Sequence, residues 1–308
     1  MSVSSRLGLG TAQWGVPRYG VAGSGRPTAE TVAEMLRLGR THGIDLLDTA
    51  HAYGDAEAVI GGVQSCVGDE LRIVTKTMAV RAPRISIEAV TAVVAAFAGS
   101  LTRLRRQRVY GLLVHHSNDL LAQGGDRLWA AMEDLRSEGK VAKIGVSVYD
   151  PEQLEAIVQR YAPTLVQLPL SVYDRRFERT GLLAALKRAD IEVHARSAFL
   201  QGLLLLGADE LPLYFAPIRA HHASFHAHVR ALGVSPLAAC LGFCLAQASV
   251  DRVIVGCEAL EQLAEIIAAA EAAGSPDLPL DVDSLDDAQF LDPSRWPQGE
   301  SAAVVPRC

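Results

Sequence analysis

The sequence predicts a (β/α)8 TIM barrel, one α/β domain with long loops on the C-terminal face of the barrel. Three observations predict it. Eight short runs of β-branched and aliphatic residues alternate with segments of helical period. Several of those runs are apolar on both faces, as expected of a parallel sheet covered by helices. Polar side chains suited to one chemistry close three successive runs, and in a barrel all C-terminal strand ends share one face.

The strands are expected at 6–9, 44–48, 71–76, 109–114, 143–147, 165–169, 191–196 and 252–256. The helix at 28–41 opens on a Pro27-Thr28 capping signal and carries Val32, Met35, Leu36 and Leu38 on one face. The helix at 86–104 opens on Ser86 and runs Ile87, Val90, Val93, Val94, Phe97, Leu101. Segments 128–138, 151–159, 181–189, 235–247 and 260–273 repeat the pattern. Two regions break the rhythm: an insertion at 203–215 with an extra helical segment at 217–232, and a tail. The barrel is read as 1–275. The tail, 276–308, is rich in Pro, Asp and Ser, and Phe290 and Trp296 are its large anchors. A doubly wound dinucleotide fold would need Gly-x-Gly-x-x-Gly after the first strand, and Gly8-Leu9-Gly10-Thr11-Ala12-Gln13 lacks the third glycine.

Composition narrows the class. The 308 residues carry 29 basic and 35 acidic side chains, a net −6. Hydrophobic residues at 49% and charged residues at 21% exclude a disordered polyelectrolyte. The acidic balance argues against nucleic acid or an anionic membrane as partner. The N-terminal residues carry no apolar signal core, and the charge-free run 89–102 is too short and too rich in small residues to span a bilayer. Five scattered cysteines read as reduced thiols, which predicts a cytoplasmic protein. No metal is expected. Cys240 and Cys244 fit an apolar helix, and the cluster His221, His222, His226, His228 has no carboxylate or thiolate partner nearby.

The candidate site is built from Asp48, Tyr53, Lys76 and His115. Singly, each has a plain reading: a turn cap, a packing ring, a solvated ammonium, a core histidine. Together they make chemical sense. A phenol with pKa ~10 is a poor acid near neutrality, and a neighbouring ammonium lowers that value. A carboxylate keeps the lysine charged and in place. A histidine orients a carbonyl oxygen. Such a set protonates a carbonyl as hydride arrives, or deprotonates an alcohol in reverse.

These residues, with Leu9-Gly10-Thr11-Ala12, Asp48-Thr49-Ala50…Tyr53-Gly54, Thr75-Lys76, Leu113-Val114-His115, Ile144-Gly145-Val146-Ser147, Val166-Gln167, Gln201-Gly202-Leu203-Leu204 and Val253-Ile254-Val255-Gly256, resemble the aldo-keto reductase family over roughly residues 5–270. The resemblance implies a nicotinamide-dependent carbonyl reductase or alcohol dehydrogenase. In it Tyr53 is the general acid/base, Lys76 lowers its pKa, Asp48 partners the lysine and His115 positions the carbonyl. It also implies that Ser147 and Gln167 hold the carboxamide, with Thr11 and Ala12 close by. Ser197, Gln201, Gly202 and Leu203 would cover the pyrophosphate, Gly256 the adenosine phosphate region, and Gln262 and Glu265 the adenosine.

Three departures matter. Ser147 is followed by Val148 rather than asparagine, which removes or moves a carboxamide hydrogen bond. Arg196 replaces the aromatic residue that stacks on the nicotinamide; its guanidinium plane is expected to stack there instead, the alternative being that it binds the phosphates or a carboxylate. Glu258 stands where many relatives carry a basic residue, so NADP(H) is favoured by family habit while NAD(H) stays open. Trp14, Tyr53, His115 and His116, with Tyr19, Phe199 and Phe215, are expected to wall the substrate pocket. The substrate is a small carbonyl or alcohol, with a sugar-like compound suggested by the bacterial character of the motifs. A competing reading is a cofactor-binding, redox-sensing regulatory subunit with little turnover.

Overall fold

The computed structural model describes residues 2–17, 19–21, 25–67, 71–272 and 284–297. Eight parallel strands close in sequence order into a barrel. They are β1 (Leu7–Gly10), β2 (Leu46–Asp48), β3 (Arg72–Lys76), β4 (Val109–Val114), β5 (Val141–Ser147), β6 (Leu165–Pro169), β7 (Glu192–Arg196) and β8 (Arg252–Gly256). The pairing of Leu7 with Val253 and Gly10 with Gly256 closes the ring. Leu46, Val74, Leu113, Leu165 and Ile254 form a separate small cluster of buried side chains, contributed by five different strands. The larger core lies between the strands and the helices around them.

Local signals set the helices. The Thr28 hydroxyl accepts the Thr31 N–H at 3.1 Å and starts the helix Ala29–Thr41. Ser86 does the same for Ile87–Leu104, accepting from Ala89. Asp150 and Ser235 cap Pro151–Val158 and Pro236–Ala246, each with proline in the first turn. Each cap is worth about 1 kcal/mol. The helix Ile87–Leu104, at 18 residues, is longer than the charge-free run suggested, and is long and apolar enough to pass a span test. It follows β3 in the barrel and turns Val93, Phe97, Ser100 and Leu104 inward.

One barrel helix is absent from the sequence expectation: Ala56–Val67, between β2 and β3. It carries a Gly61-Gly62 pair. The structure explains the glycine, because a Cβ on Gly61 would stand 2.1 Å from the Arg103 carbonyl oxygen. The missing side chain lets two helices touch through their backbones.

Between β7 and Pro236–Ala246 the insertion forms short 3-10 turns, among them Leu203–Leu205 and Leu213–Ile218, then the helix Arg219–Ala231. The described part of the tail lies on it. Trp296 and Phe290 meet Phe215 with ring centroids 4.9 and 6.3 Å apart. The expected boundary at 275/276 falls outside the described residues. His222 is fully buried, with Nδ1 2.9 Å from the Tyr173 hydroxyl and Nε2 2.7 Å from the Leu206 carbonyl. Cys240 and Cys244 are buried core thiols, as their helix pattern suggested.

Candidate active site

The ends of β2 and β3 bring opposite charges together. Lys76 and Asp48 are both buried, and the ammonium donates to Asp48 Oδ1 at 2.8 Å and Oδ2 at 2.7 Å. Its third short bond goes to the Thr49 carbonyl at 3.0 Å. Gln167, from β6, donates its amide to Asp48 Oδ1 at 2.7 Å, and Ser147, from β5, donates to Gln167 Oε1 at 3.3 Å. Four strands thus fix one ion pair by directed bonds. Isolated in a low-dielectric interior, neither charge would be tolerable.

Tyr53 stands above this pair. Its hydroxyl lies 3.5 Å from Lys76 Nζ, and its ring lies edge-on to His115 with centroids 5.8 Å apart. Its loop presses onto the turn after β1. A Cβ on Gly15 would fall 1.8 Å from the Tyr53 carbonyl oxygen, so only glycine permits that approach. Below, buried Glu57 ties the loop down: it accepts from Thr75 at 2.7 Å and from Arg103 at 2.8 and 2.9 Å.

The electrostatics correct one expectation. Burial, reinforced by the Asp48 charge, pushes the Tyr53 phenol well above its usual 10, while Arg196 acts the other way. Tyr53 is therefore a protonated, neutral phenol. His115 is pushed down to about 3 by burial, then by Lys76 and Arg196, so it is a neutral imidazole.

A cavity of about 550 Å³ opens over the site. Its lining includes Asp48, Tyr53, His115, Ser147, Gln167, Arg196, Thr11 and Ala12. It continues along Ser197, Gln201 and Gly202 to Gly256, Glu258, Gln262 and Glu265. Lys76 is sealed behind Tyr53 and Asp48. Four further expected residues are not among the lining. Trp14 is a core residue whose indole N–H donates to the Cys257 carbonyl at 3.0 Å. His116 is bonded to Asp119 at 3.0 Å, and Asp119 in turn holds the Val80 and Arg81 N–H groups, so this histidine braces a loop. Leu203 is fully buried beside the 200–202 turn. Phe215 likewise packs under the tail, while Tyr19 and Phe199 do line the cavity.

Arg196 has an unexpected neighbour. Its guanidinium lies over the Tyr149 ring at 4.4 Å, and it donates to the Val148 carbonyl at 2.9 Å and to Ser197 Oγ at 3.2 Å. Two sequence departures, Val148 and Arg196, are thus in direct contact. Tyr149, Gln13 and the tail residues Pro293 and Ser294 also line the cavity. Proximity to Ser147 could have flagged Tyr149. Nothing in the tail sequence marks Pro293 or Ser294.

The turn after β7 is backbone-strained: Ser197, Leu200 and Gln201 have φ of 63°, 44° and 54°. Left-handed geometry costs a non-glycine residue about 1–2 kcal/mol. Such turns aim backbone N–H groups into a concave nest suited to anions.

Comparisons with known proteins identify the family and the fold. The sequence profile of the aldo/keto reductase family matches residues 6–286. Aldo-keto reductase YhdN of Bacillus subtilis (strain 168) is 30% identical over 186 residues, covering 58% of this chain and 54% of that protein. The matched chain thus spans about half the length of that curated relative. The holo form of aldo-keto reductase AKR11C1 from Bacillus halodurans superposes with a TM-score of 0.68 at 20% identity over 86% of each chain. Glycerol dehydrogenase AKR11B4 from Gluconobacter oxydans gives 0.64 at 20% identity, over 91% of this chain and 95% of that one. At that identity the two structures speak for the fold.

Proposed function

Because the chain belongs to the aldo-keto reductase family, we propose that it reduces an aldehyde or ketone with a reduced nicotinamide dinucleotide, or oxidises the corresponding alcohol, with Tyr53 as general acid/base. One observation carries this reading: the Tyr53 hydroxyl lies 3.5 Å from a lysine held by Asp48, in a cavity shared with neutral His115.

The residues present suit the dinucleotide. Ser147 and Gln167 offer a hydroxyl and an amide at the catalytic end. The strained turn from Ser197 to Gly202 offers backbone donors for a pyrophosphate. Gly256 leads to the start of the helix Leu260–Ala272, where N–H groups favour anions. The bound dinucleotide supplies the hydride; the chain supplies everything else. His115 orients the carbonyl oxygen. Tyr53 holds the proton that this oxygen takes up as negative charge develops on it. Lys76 steadies the phenolate left behind, and Asp48 with Gln167 keeps the ammonium aimed at Tyr53. In the alcohol direction Tyr53 takes the proton back.

The phenols of Tyr19 and Tyr149 beside Arg196 make a polar wall that suits a hydroxylated, sugar-like carbonyl compound. The test is Tyr53→Phe. Turnover on a responsive aldehyde should fall about 10³-fold, with dinucleotide binding by fluorescence unchanged. Near-normal turnover would remove Tyr53 from the role. Tight binding with no turnover across a broad panel of aldehydes, ketones and sugars would favour a sensing subunit.

A further inference from the structure

One charge in the cavity wall has no counterpart. Arg196, at the end of β7, is the one cation among the described lining residues. Asp48, the carboxylate at the catalytic end, is already matched by Lys76. Glu258 and Glu265, after β8, also line the cavity, and neither pairs with Arg196. The guanidinium donates to the Val148 carbonyl at 2.9 Å from one terminal nitrogen and to Ser197 Oγ at 3.2 Å from the other. It carries more N–H groups than these bonds use. Its Nε is shielded from solvent and has no hydrogen-bond partner among the described residues. The Tyr149 ring, at 4.4 Å, covers one face of the plane and holds it in place.

The groups that would meet a carbonyl surround this cation. Its field acts on Tyr53, on His115 and on Tyr19, each carried by a different segment. All four residues line the same space. A fixed cation short of acceptors is a site for an anionic group, because charge-assisted hydrogen bonds are the strong ones. One guanidinium suits one negative charge. A phosphate monoester carries about −1.5 to −2 charges at neutral pH and would be matched only in part. A carboxylate matches both the charge and the planar fork of donors. We propose that the substrate is a carbonyl compound that also bears a carboxylate, and that Arg196 is the specificity-determining residue that holds this second group while Tyr53 and His115 take the carbonyl oxygen. The proposal rests on the carbonyl-reductase reading above and narrows its hydroxylated substrate to an acidic one.

The experiment is steady-state reduction by the full chain, at saturating dinucleotide, of two matched pairs: succinic semialdehyde against butanal, and 4-carboxybenzaldehyde against 4-methylbenzaldehyde. Within each pair a methyl group replaces the carboxylate. In at least one pair the carboxylate member should be favoured about tenfold or more in kcat/KM, chiefly through KM. The preference should shrink as salt rises. Arg196→Gln should lower the ratio of the two kcat/KM values about tenfold, and Arg196→Lys, which keeps the charge and loses the fork, should recover part of it. Absence of a carboxylate preference in both pairs, or a preference that Arg196→Gln leaves unmoved, would overturn the proposal and leave the reductase reading standing. An unmoved ratio accompanied by weaker dinucleotide binding in the glutamine variant would also overturn it, and would place the guanidinium on the phosphates of the dinucleotide. No turnover with these aldehydes or with the broader panel would sink the reductase reading and this inference together.

Discussion

The two mouths of the barrel are built from the same strands and treat charge in opposite ways. At the N-terminal mouth, Glu192 on β7 receives Lys143 from β5 at 2.5 Å, His194 at 2.7 Å and the Tyr110 hydroxyl at 2.5 Å. Asp45 holds Arg72 and Arg252 at 2.8 and 3.0 Å. Four residues along β7 from Glu192, at the C-terminal mouth, Arg196 meets, among the described residues, neutral oxygens and an aromatic face. At one mouth ion pairs tie strands together. The other keeps a matched pair, Lys76 with Asp48, beneath a phenol and leaves an arginine without a carboxylate. The difference teaches where the fold keeps charge for structure and where it keeps charge for chemistry.

The sharpest way to break the comparison is Lys76→Met. It should cut turnover about 10³-fold and also leave Asp48 buried without its cation, costing about 3–5 kcal/mol in denaturant unfolding. A destabilised but fully active Lys76→Met protein would mean that the upper pair is a structural clamp like the lower one.

Glu192→Gln should act on stability alone. Unfolding free energy should drop by about 2 kcal/mol, below the figure for a fully buried pair because Lys143 keeps 32% of its side chain in water. Turnover should stay within about twofold. The pH dependence follows from the direction of the shift. Burial works against the Glu192 charge, but the bonds from His194, Lys143 and Tyr110 outweigh it and hold the carboxyl well below the usual range. Its stabilisation is therefore full above pH ~4.5 and is lost as pH falls below that value. Melting temperature against pH should be flatter across pH 3–5 in the variant. Parallel curves for the two proteins would contradict this.

A smaller effect sharpens the contrast at the upper mouth. His115, held down to about 3, does not change charge between pH 5 and 8. Carbonyl reduction should therefore show no inflection near 6.5. An inflection there that vanishes in His115→Gln would show that the imidazole titrates in the working range.

Much of this was legible in the sequence because a barrel strand ends where its side chains turn polar. The runs at 109–114, 165–169 and 252–256 coincide with β4, β6 and β8, and Asp48 and Lys76 close β2 and β3. His115 lines the cavity, whereas its neighbour His116, expected beside it, braces a loop. What escaped depends on approach through space. The contact that Gly61 makes possible is with Arg103, 42 positions away. Trp14 looked like a pocket wall, yet its indole N–H has a core partner on the loop after β8. The partners of Arg196 follow from where β5 and β7 end relative to each other, which no single strand announces. The expected lowering of the Tyr53 pKa left out burial and the Asp48 charge, which both push the phenol upward.

That last point makes Arg196 the most delicate test. Its bonds to Val148 and Ser197 are single hydrogen bonds to neutral oxygens, so Arg196→Gln should cost under about 1 kcal/mol of stability. Its charge is another matter. It opposes the burial that drives the Tyr53 phenol upward, and it stands beside Tyr53 in the lining. Alcohol oxidation needs Tyr53 to receive a proton, so its rate should climb with pH toward the alkaline range. Removing the guanidinium should move that climb to higher pH by up to about one unit. Arg196→Lys, which keeps the charge and gives up the planar stack on Tyr149, should restore most of the profile. A glutamine variant with an unmoved profile would mean that the field of Arg196 is spent on another group, and the upper mouth would then owe its unpaired charge to binding rather than to proton transfer.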